Sequence, residues 1–523
     1  MPDSMTPGAA RHPAFFSVSS LALIAPLCVV GAIIGTELIT TLGITANTAL
    51  IGALAGMALG RLPLAMFAQH RSPHMQNLAQ TAISASTFGA GNALLLPIGI
   101  PFVMGRPGLV GPLLLGVFLA MLVDGYLLYR MFDSAAFPAE ATWPPGVATA
   151  EVIRADDTGA RGGQHGGMLL LGLGVGILGA AYRVPMSAFG VAFIGNIWAL
   201  GMFGAGLLLR GHCEILFGWL IPGGDLMRGY IPHGLMVGAG IAALVQVAML
   251  VRAGAVPGRA LGLGGGAYLA IAVLLALLGG LYSAMSVGML LLFVVYAAFA
   301  AFIHALIVGL AAMQAGWFPA FAVALITLVV GMLIGFPPVA LCLLVGFSAA
   351  TGPSFANLGY GLKAGHILRG GDPGFERDGR RQQFHAAMFA FAVAGAVVWL
   401  THGGYFAADR VAPVGRVYVA AINAGASWEV ARQLAIWAIP GALIQFAGGA
   451  GRQLGVMLAT GLLLLNPAAG WAVLAGLALR GWLMKRLAGR RRAEMEVFGA
   501  GVIAGDALFS LYDAASRAWA AKR

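Results

Sequence analysis

Between Leu21 and Tyr512 one apolar run follows another, and no block of soluble composition separates them. A helix needs about 20 apolar residues to cross the hydrocarbon of a bilayer. Runs of that order lie near 20–42, 46–68, 76–104, 108–131, 165–183, 186–209, 230–252, 266–284, 286–312, 316–335, 337–356, 384–401, 429–447, 454–480 and 495–513. In lipid every backbone amide must find its partner inside the protein, which leaves helices or closed barrels. The runs lack the two-residue alternation of a membrane barrel. The expectation is an all-α polytopic integral membrane protein with roughly 12–16 membrane helices, some broken or re-entrant. Composition agrees: 60% of residues are hydrophobic and 9% charged, against roughly 45–50% and about 25% in soluble domains.

One transmembrane domain is expected over residues 20–515, with tails at 1–19 and 516–523 and hydrophilic loops at 133–164, 359–383 and 402–428. The run Leu21–Leu42 is longer than the core of a cleaved leader and reads as the first span. Cys28, Cys213 and Cys342 stand apart, so no disulfide framework or CxxC site is implied. Glycine makes up 78 of 523 residues, and Gly52, Gly56 and Gly60 show the four-residue spacing that lets membrane helices approach closely. Gly111-Pro112 and Gly352-Pro353 invite a division into two pseudo-symmetric halves without establishing it.

The net charge of +11 is not a nucleic-acid signal, because many of the arginines, such as Arg61, Arg106, Arg130, Arg210 and Arg252, sit at the ends of apolar segments. That is where positive charge marks the cytoplasmic side and where long side chains reach headgroups. The cluster Lys485–Arg492 (KRLAGRRR) is the clearest cytoplasmic marker. Only three lysines occur, and Lys363 alone is set among membrane segments. Gly174-Val-Gly176-Ile-Leu-Gly179 spells GxGxxG, but within an apolar helix and with no strand before it. No GxxxxGK[ST] is present, so the chain by itself hydrolyses no nucleotide. HExxH and GxSxG are absent, as are paired acids at catalytic spacing, which argues against a membrane-embedded enzyme.

Four segments, in order along the chain, resemble the oligopeptide transporter (OPT) family. Asn77-Leu78-Ala79-Gln80-Thr81, followed by small residues and Pro97, is similar to the family's NxxQT stretch. Pro144-Pro145-Gly146-Val147-Ala148-Thr149-Ala150-Glu151-Val152 is close to P-x-G-x-A-x-A-E-V. Asn357–Gly365 resembles the polar segment that ends D-L-K-x-G, with Gly361 where the family has an acid. Gly501-Val502-Ile503-Ala504-Gly505-Asp506-Ala507-Leu508 resembles the final G-x-I-A-G-E-A-L helix. The acid ahead of Asn77 is missing, and a YLGLK-like feature survives only as Thr41–Thr45, without its lysine. The pattern looks like a divergent prokaryotic-type member. The resemblance implies secondary transport driven by proton symport, of small peptides, peptide-like solutes or metal–chelate complexes, across the cytoplasmic (inner) membrane. It implies no cofactor beyond the proton gradient. Partners would be the solute and the lipid bilayer, with a homo-oligomer left open and no nucleic acid.

Candidate residues follow, each with two readings. Lys363, with Asn357, Tyr360 and the surrounding glycines, either offers an anion site to the solute or anchors a helix end at the interface. Asn77, Gln80 and Thr81 share one helical face, suited to bonding a peptide or to joining helices. Glu151 is a solute or gate residue by resemblance and a solvated loop residue otherwise. Glu37, Asp124 and Asp506 are carboxylates within apolar spans, where a charge is costly. They are candidates for proton coupling, or else for structural pairing, Glu37 with Arg61 for instance. His304, in FAAFIHALIV, is a proton relay or a buried imidazole bonding a carbonyl. His70 and His74 lack a third ligand nearby, so no metal site is assigned.

Overall fold

The computed structural model describes residues 12–41, 71–157, 164–219, 225–252, 258–316, 320–425, 427–449, 451–464, 466–486 and 492–520. The run expected at 46–68, with Gly52, Gly56, Gly60 and Arg61, lies outside them. The described residues form helices and no strand; one isolated bridge joins Phe132 and Phe137. Eight of these helices are long and apolar enough to cross a membrane. The protein is an all-α, multi-pass membrane protein, as the run lengths predict.

Two groups of helices pack around separate cores. The first holds α1 (Val18–Thr41), α2 (Pro73–Val103) and α3 (Val110–Met131). The second begins with α4 (Pro144–Asp157), α5 (Gln164–Ala181), α6 (Met186–Ile194), α7 (Ile197–Gly211) and α8 (Ile231–Arg252). The chain then returns to the first group with α9 (Gly258–Leu278), α10 (Val287–Ala315), α11 (Ala320–Ile334), α12 (Pro338–Ala350), α13 (Pro353–Arg369), α14 (Pro373–Ala407) and α15 (Pro413–Ala424). It closes in the second group with α16 (Trp428–Gly448), α17 (Leu454–Leu463), α18 (Pro467–Arg486) and α19 (Arg492–Ala520). Each group therefore draws on both halves of the sequence. Helix α10 lies between them, giving Val308 to one core and Ile307 and Ala311 to the others. Gly111-Pro112 falls in the first turn of α3 without a break, so it is no counterpart of Gly352-Pro353.

Glycine sets how closely the second group packs. Helices α5 and α19 run parallel: a Cβ on Gly172 or Gly176 would strike the carbonyls of Phe498 and Val502, and one on Gly501 or Gly505 those of Leu169 and Leu173. The letters GxGxxG in α5 thus serve helix packing, with backbones at a distance no larger residue permits.

Two helices of the first group are interrupted, each for a local reason. In α2 the stretch Gly89–Leu95 is a π-helix, and the Leu96 amide bonds the Gly91 carbonyl. The wider turn directly precedes Pro97, which has no amide to give. Between α12 and α13, Gly352 adopts φ +97° and Pro353 opens the next helix. A side chain at Gly352 would also press on Val308.

The hydrophilic stretches expected as loops are largely helical. Residues 359–369 continue α13 and 373–383 begin α14, α4 occupies 144–157 of the stretch 133–164, and the end of α14 together with α15 covers most of 402–428. Glycine does not break α13 because burial outweighs its propensity cost of about 1 kcal/mol per residue. Its glycines admit neighbours: Gly359 lies against the Trp143 ring and Gly361 against Thr81.

Candidate functional site

The break at Thr351–Gly352 gathers polar groups from three helices. Asp124, on α3, is fully buried. Its Oδ1 accepts the Tyr268 hydroxyl from α9 at 2.5 Å, and its Oδ2 accepts the Gly352 amide at 2.7 Å. A helix start leaves its first amides without intrahelical partners, and here a carboxylate from another helix takes that role. On the other side of the break His304 of α10, also fully buried, places Nδ1 3.2 Å from Thr351 Oγ1 and Nε2 2.8 Å from the Ala320 carbonyl. A carbonyl only accepts, so Nε2 carries a proton. Thr351 Oγ1 in turn lies 2.9 Å from the Ser348 carbonyl. Asp124 and His304, 180 residues apart in the sequence, thus bond adjacent residues of one helix break.

The polar face of α2 meets α13 and α14. Ser84 donates to Asn357 Oδ1 at 2.7 Å. Gln383 Nε2 donates to Thr81 Oγ1 at 3.1 Å and to the Gly361 carbonyl at 2.6 Å. Thr81 also donates to the Asn77 carbonyl at 2.8 Å and approaches Gln80 Oε1 at 3.4 Å. The seam ends on a buried fork, where Arg369 Nε and Nη2 donate to the two oxygens of Glu376 at 2.6 and 3.0 Å while Nη1 donates to Gln383 at 2.8 Å. Apart from the two Thr81 contacts within α2, these bonds join helix to helix. Gly361 fits closely into this seam, since a Cβ there would stand 3.0 Å from Thr81 Oγ1.

Lys363 points away from that seam. Its Nζ donates to the Ala139 carbonyl at 2.7 Å and so ties α13 to the segment before α4. Tyr360 meets Trp143 edge-on, with ring centroids 6.1 Å apart. Gly146 of α4 fits against the Tyr360 carbonyl and the Lys363 stem, where a Cβ would come within 2.6 and 2.8 Å. Nearby, His366 Nε2 lies 3.1 Å from Glu140, and that hydrogen bond holds the Glu140 carboxyl below its usual range. Glu151 pairs with Arg154 at 3.1 Å, and Arg154 also donates to the Ile367 carbonyl at 2.7 Å.

The other two carboxylates are placed separately. Glu37 is paired with Arg410, and Tyr405 donates to it at 3.1 Å. Both charged side chains of that pair are more than one-third exposed, at 40% and 37%. Asp506 Oδ2 accepts the Ser187 amide at 2.9 Å and the Ser187 hydroxyl at 2.5 Å, capping the start of α6. Sequence reasoning missed a third device of this kind. Gln445 Oε1 accepts the Gly455 and Val456 amides at 3.1 and 3.2 Å, at the start of α17, while its Nε2 donates to Gln246 at 2.9 Å. Tyr268, Glu376, Arg369 and Gln383 were missed as well. The only signal for Tyr268 and Gln445 was a polar group in an apolar run.

Three helix starts, α13, α6 and α17, are thus capped by side chains of α3, α19 and α16 respectively. Helices that begin inside a membrane protein, with their amides satisfied from outside, are the elements from which secondary transporters build solute and ion sites. The description OPT oligopeptide transporter protein matches residues 18–256 and 263–516, nearly the whole chain. No curated protein matches the chain. With that match over an all-helical, multi-pass architecture, the chain belongs to the OPT oligopeptide transporter family.

Proposed function

We propose that the protein is a proton-coupled carrier of small peptides or peptide-like solutes across the cytoplasmic membrane, and that Asp124 and His304 are its coupling groups. The observation that carries this reading is their convergence on Thr351–Gly352 from separate helices. An ionised Asp124 accepts hydrogen bonds at both oxygens and holds the start of α13. A proton on that carboxyl weakens its acceptor strength and loosens the cap. At His304, with Nε2 bonded to Ala320, a neutral ring accepts the Thr351 hydroxyl at Nδ1. A protonated ring donates there instead, and the Thr351 hydrogen turns to the Ser348 carbonyl. Each proton therefore rearranges bonds across the same break, and α13 is the element whose position they bias. The Ser84–Asn357 bond, with Gln383 bridging Thr81 and the Gly361 carbonyl, holds α13 to α2, and Lys363 holds it to the segment before α4, so a shift at the break reaches both contacts.

The test is uptake of labelled trialanine into proteoliposomes under an inward proton gradient, beside solute counterflow without a gradient. Asp124→Asn and His304→Gln are expected to abolish gradient-driven accumulation and to retain counterflow. Accumulation at the wild-type level by both folded variants would refute the coupling assignment. Uptake unaffected by collapse of the gradient in the wild type would refute proton coupling altogether.

A further inference from the structure

Near the end of α13 an imidazole stands between two carboxylates from different elements. His366 Nε2 lies 3.1 Å from Glu140 Oε1, in the segment before α4, and Nδ1 lies 3.8 Å from Glu376 Oε2, on α14. The second distance is beyond hydrogen-bond reach, and the buried Nδ1 has no hydrogen-bond partner. A neutral ring that donates from Nε2 to Glu140 leaves Nδ1 bare beside a carboxylate. A protonated ring has a donor on each side and one positive charge between two negative ones. The geometry therefore distinguishes the two protonation states of the ring.

The elements that flank His366 already meet here through charged groups. Lys363, one turn earlier on α13, holds the Ala139 carbonyl, next to Glu140. Arg154 of α4 pairs with Glu151 and donates to the Ile367 carbonyl. Glu376 is shared with Arg369 and with Arg380, which also lies 3.5 Å from Asp133. His12 and His74 pack against Phe375, the neighbour of Glu376 in α14.

Protons reach the ring from one side of the membrane, since the Glu140 side chain is 87% exposed and that of His366 19%. Charge identifies that side. Arg369, Arg377, Arg380 and Arg381 cluster at the turn from α13 into α14. Glu496, at the start of α19 just past the basic cluster 485–492, is near enough to Lys363 to act on its charge. Both basic clusters thus share the cytoplasmic side.

We propose that His366 is a proton-operated latch on the cytoplasmic side. With a cytoplasmic proton it pairs with Glu140 and Glu376 together and fastens the end of α13 to the segment before α4 and to α14. Without that proton it keeps only the neutral bond to Glu140. Helix α13 is the element that Asp124 and His304 bias from its other end, so the latch restrains it when protons accumulate inside and slows further import. The inference rests on the transporter reading above and uses a group apart from the coupling pair, because about 21 Å of helix separates His366 from Gly352.

The experiment is trialanine counterflow at equal pH on both faces, between about pH 7.5 and 5.5, where imidazole titrates. Wild type is compared with His366→Gln and Glu140→Gln. Glutamine at 366 keeps a donor for Glu140 and cannot titrate. Wild-type exchange is expected to slow toward acid by roughly two- to five-fold more than exchange by either variant, the scale of a partly exposed ion pair. Parallel profiles in wild type and His366→Gln, or a wild type that speeds up toward acid relative to that variant, would overturn the latch. Amide exchange of residues 134–143, corrected for its intrinsic pH dependence, reads the latch without transport. Protection there should rise toward acid in wild type alone, and equal trends in all three proteins would overturn the proposal. Wild-type uptake insensitive to the proton gradient removes the coupling reading and leaves the amide result to decide the latch.

Discussion

The bond between Tyr268 and Asp124 offers a quantitative test of the helix break. Replacing Asp124 with Asn leaves one acceptor oxygen where there were two. If that oxygen keeps the Gly352 amide, the new amide group faces the Tyr268 hydroxyl, and one hydrogen of the pair is left buried without an acceptor. An unsatisfied buried group costs about 1–3 kcal/mol. Hydrogen bonds between membrane helices average only about 0.6 kcal/mol, with a maximum near 1.7. The Asp124–Tyr268 bond belongs at the upper end, because it is fully buried and made to an acid. Asp124→Asn and Tyr268→Phe should therefore each destabilise by about 1–2 kcal/mol. Both remove the same bond, so the double variant should be more stable than the sum of the two penalties by about 1 kcal/mol or more. Reversible unfolding in mixed micelles, followed by circular dichroism across the four proteins of the cycle, measures this directly. Additivity within about 0.5 kcal/mol would mean that the two side chains do not share a bond, and the account of the cap would fail.

Packing of α5 on α19 predicts a contrast within two residues. Gly176→Ala places a methyl against the Val502 carbonyl and should cost about 1–3 kcal/mol with a loss of folded protein. Gly174→Ala meets nothing within 4 Å and should be neutral or stabilising by up to about 1 kcal/mol; yield and thermal midpoint in detergent report both. Near the N-terminus, burial lowers the His12 imidazole to about 4, where it packs against His74 and Phe375. Between that value and its ordinary 6.5 the unfolded segment binds the proton that the packed one refuses. The docking of residues 12–17 should therefore weaken as pH falls from 6.5 toward 4, by at most about 3 kcal/mol. Amide exchange of that segment is the readout, and His12→Phe should flatten the pH dependence. Equal slopes in the two proteins would exclude His12 as the cause.

Much of the fold was legible because a bilayer restricts the solutions. Runs of about 20 apolar residues can only be helices. Most of the expected spans within the described residues appear as helices, while the run expected at 337–356 is broken at Gly352 and the helix after the break continues to Arg369, into residues expected as a loop. The resemblance of Asn77–Thr81, Pro144–Val152, Asn357–Gly365 and Gly501–Leu508 to one family agrees with the match over nearly the whole chain. The sites were less legible. Asp124 and His304 were visible one at a time, as costly residues in apolar runs, but nothing in their spacing put them at one helix break. Lys363 drew attention as an isolated cation, and its bond to the Ala139 carbonyl depends on a segment more than 200 residues earlier in the chain. The stretches around Lys363 and Arg369 looked like loops because glycine and charge mark loops in solvent. Buried between helices, the same glycines become contact points and the same charges satisfy one another.

The sequence by itself determined that this chain crosses a membrane many times as helices, and to which family it belongs. Both follow from local properties, hydrophobic length and short motifs. Only the tertiary structure decided which polar groups meet. A carboxylate in lipid must find donors, but many donors lie within reach of an unfolded chain, and sequence distance does not rank them. Packing selects among them: Tyr268 and Gly352 for Asp124, Ser187 for Asp506, Arg410 for Glu37.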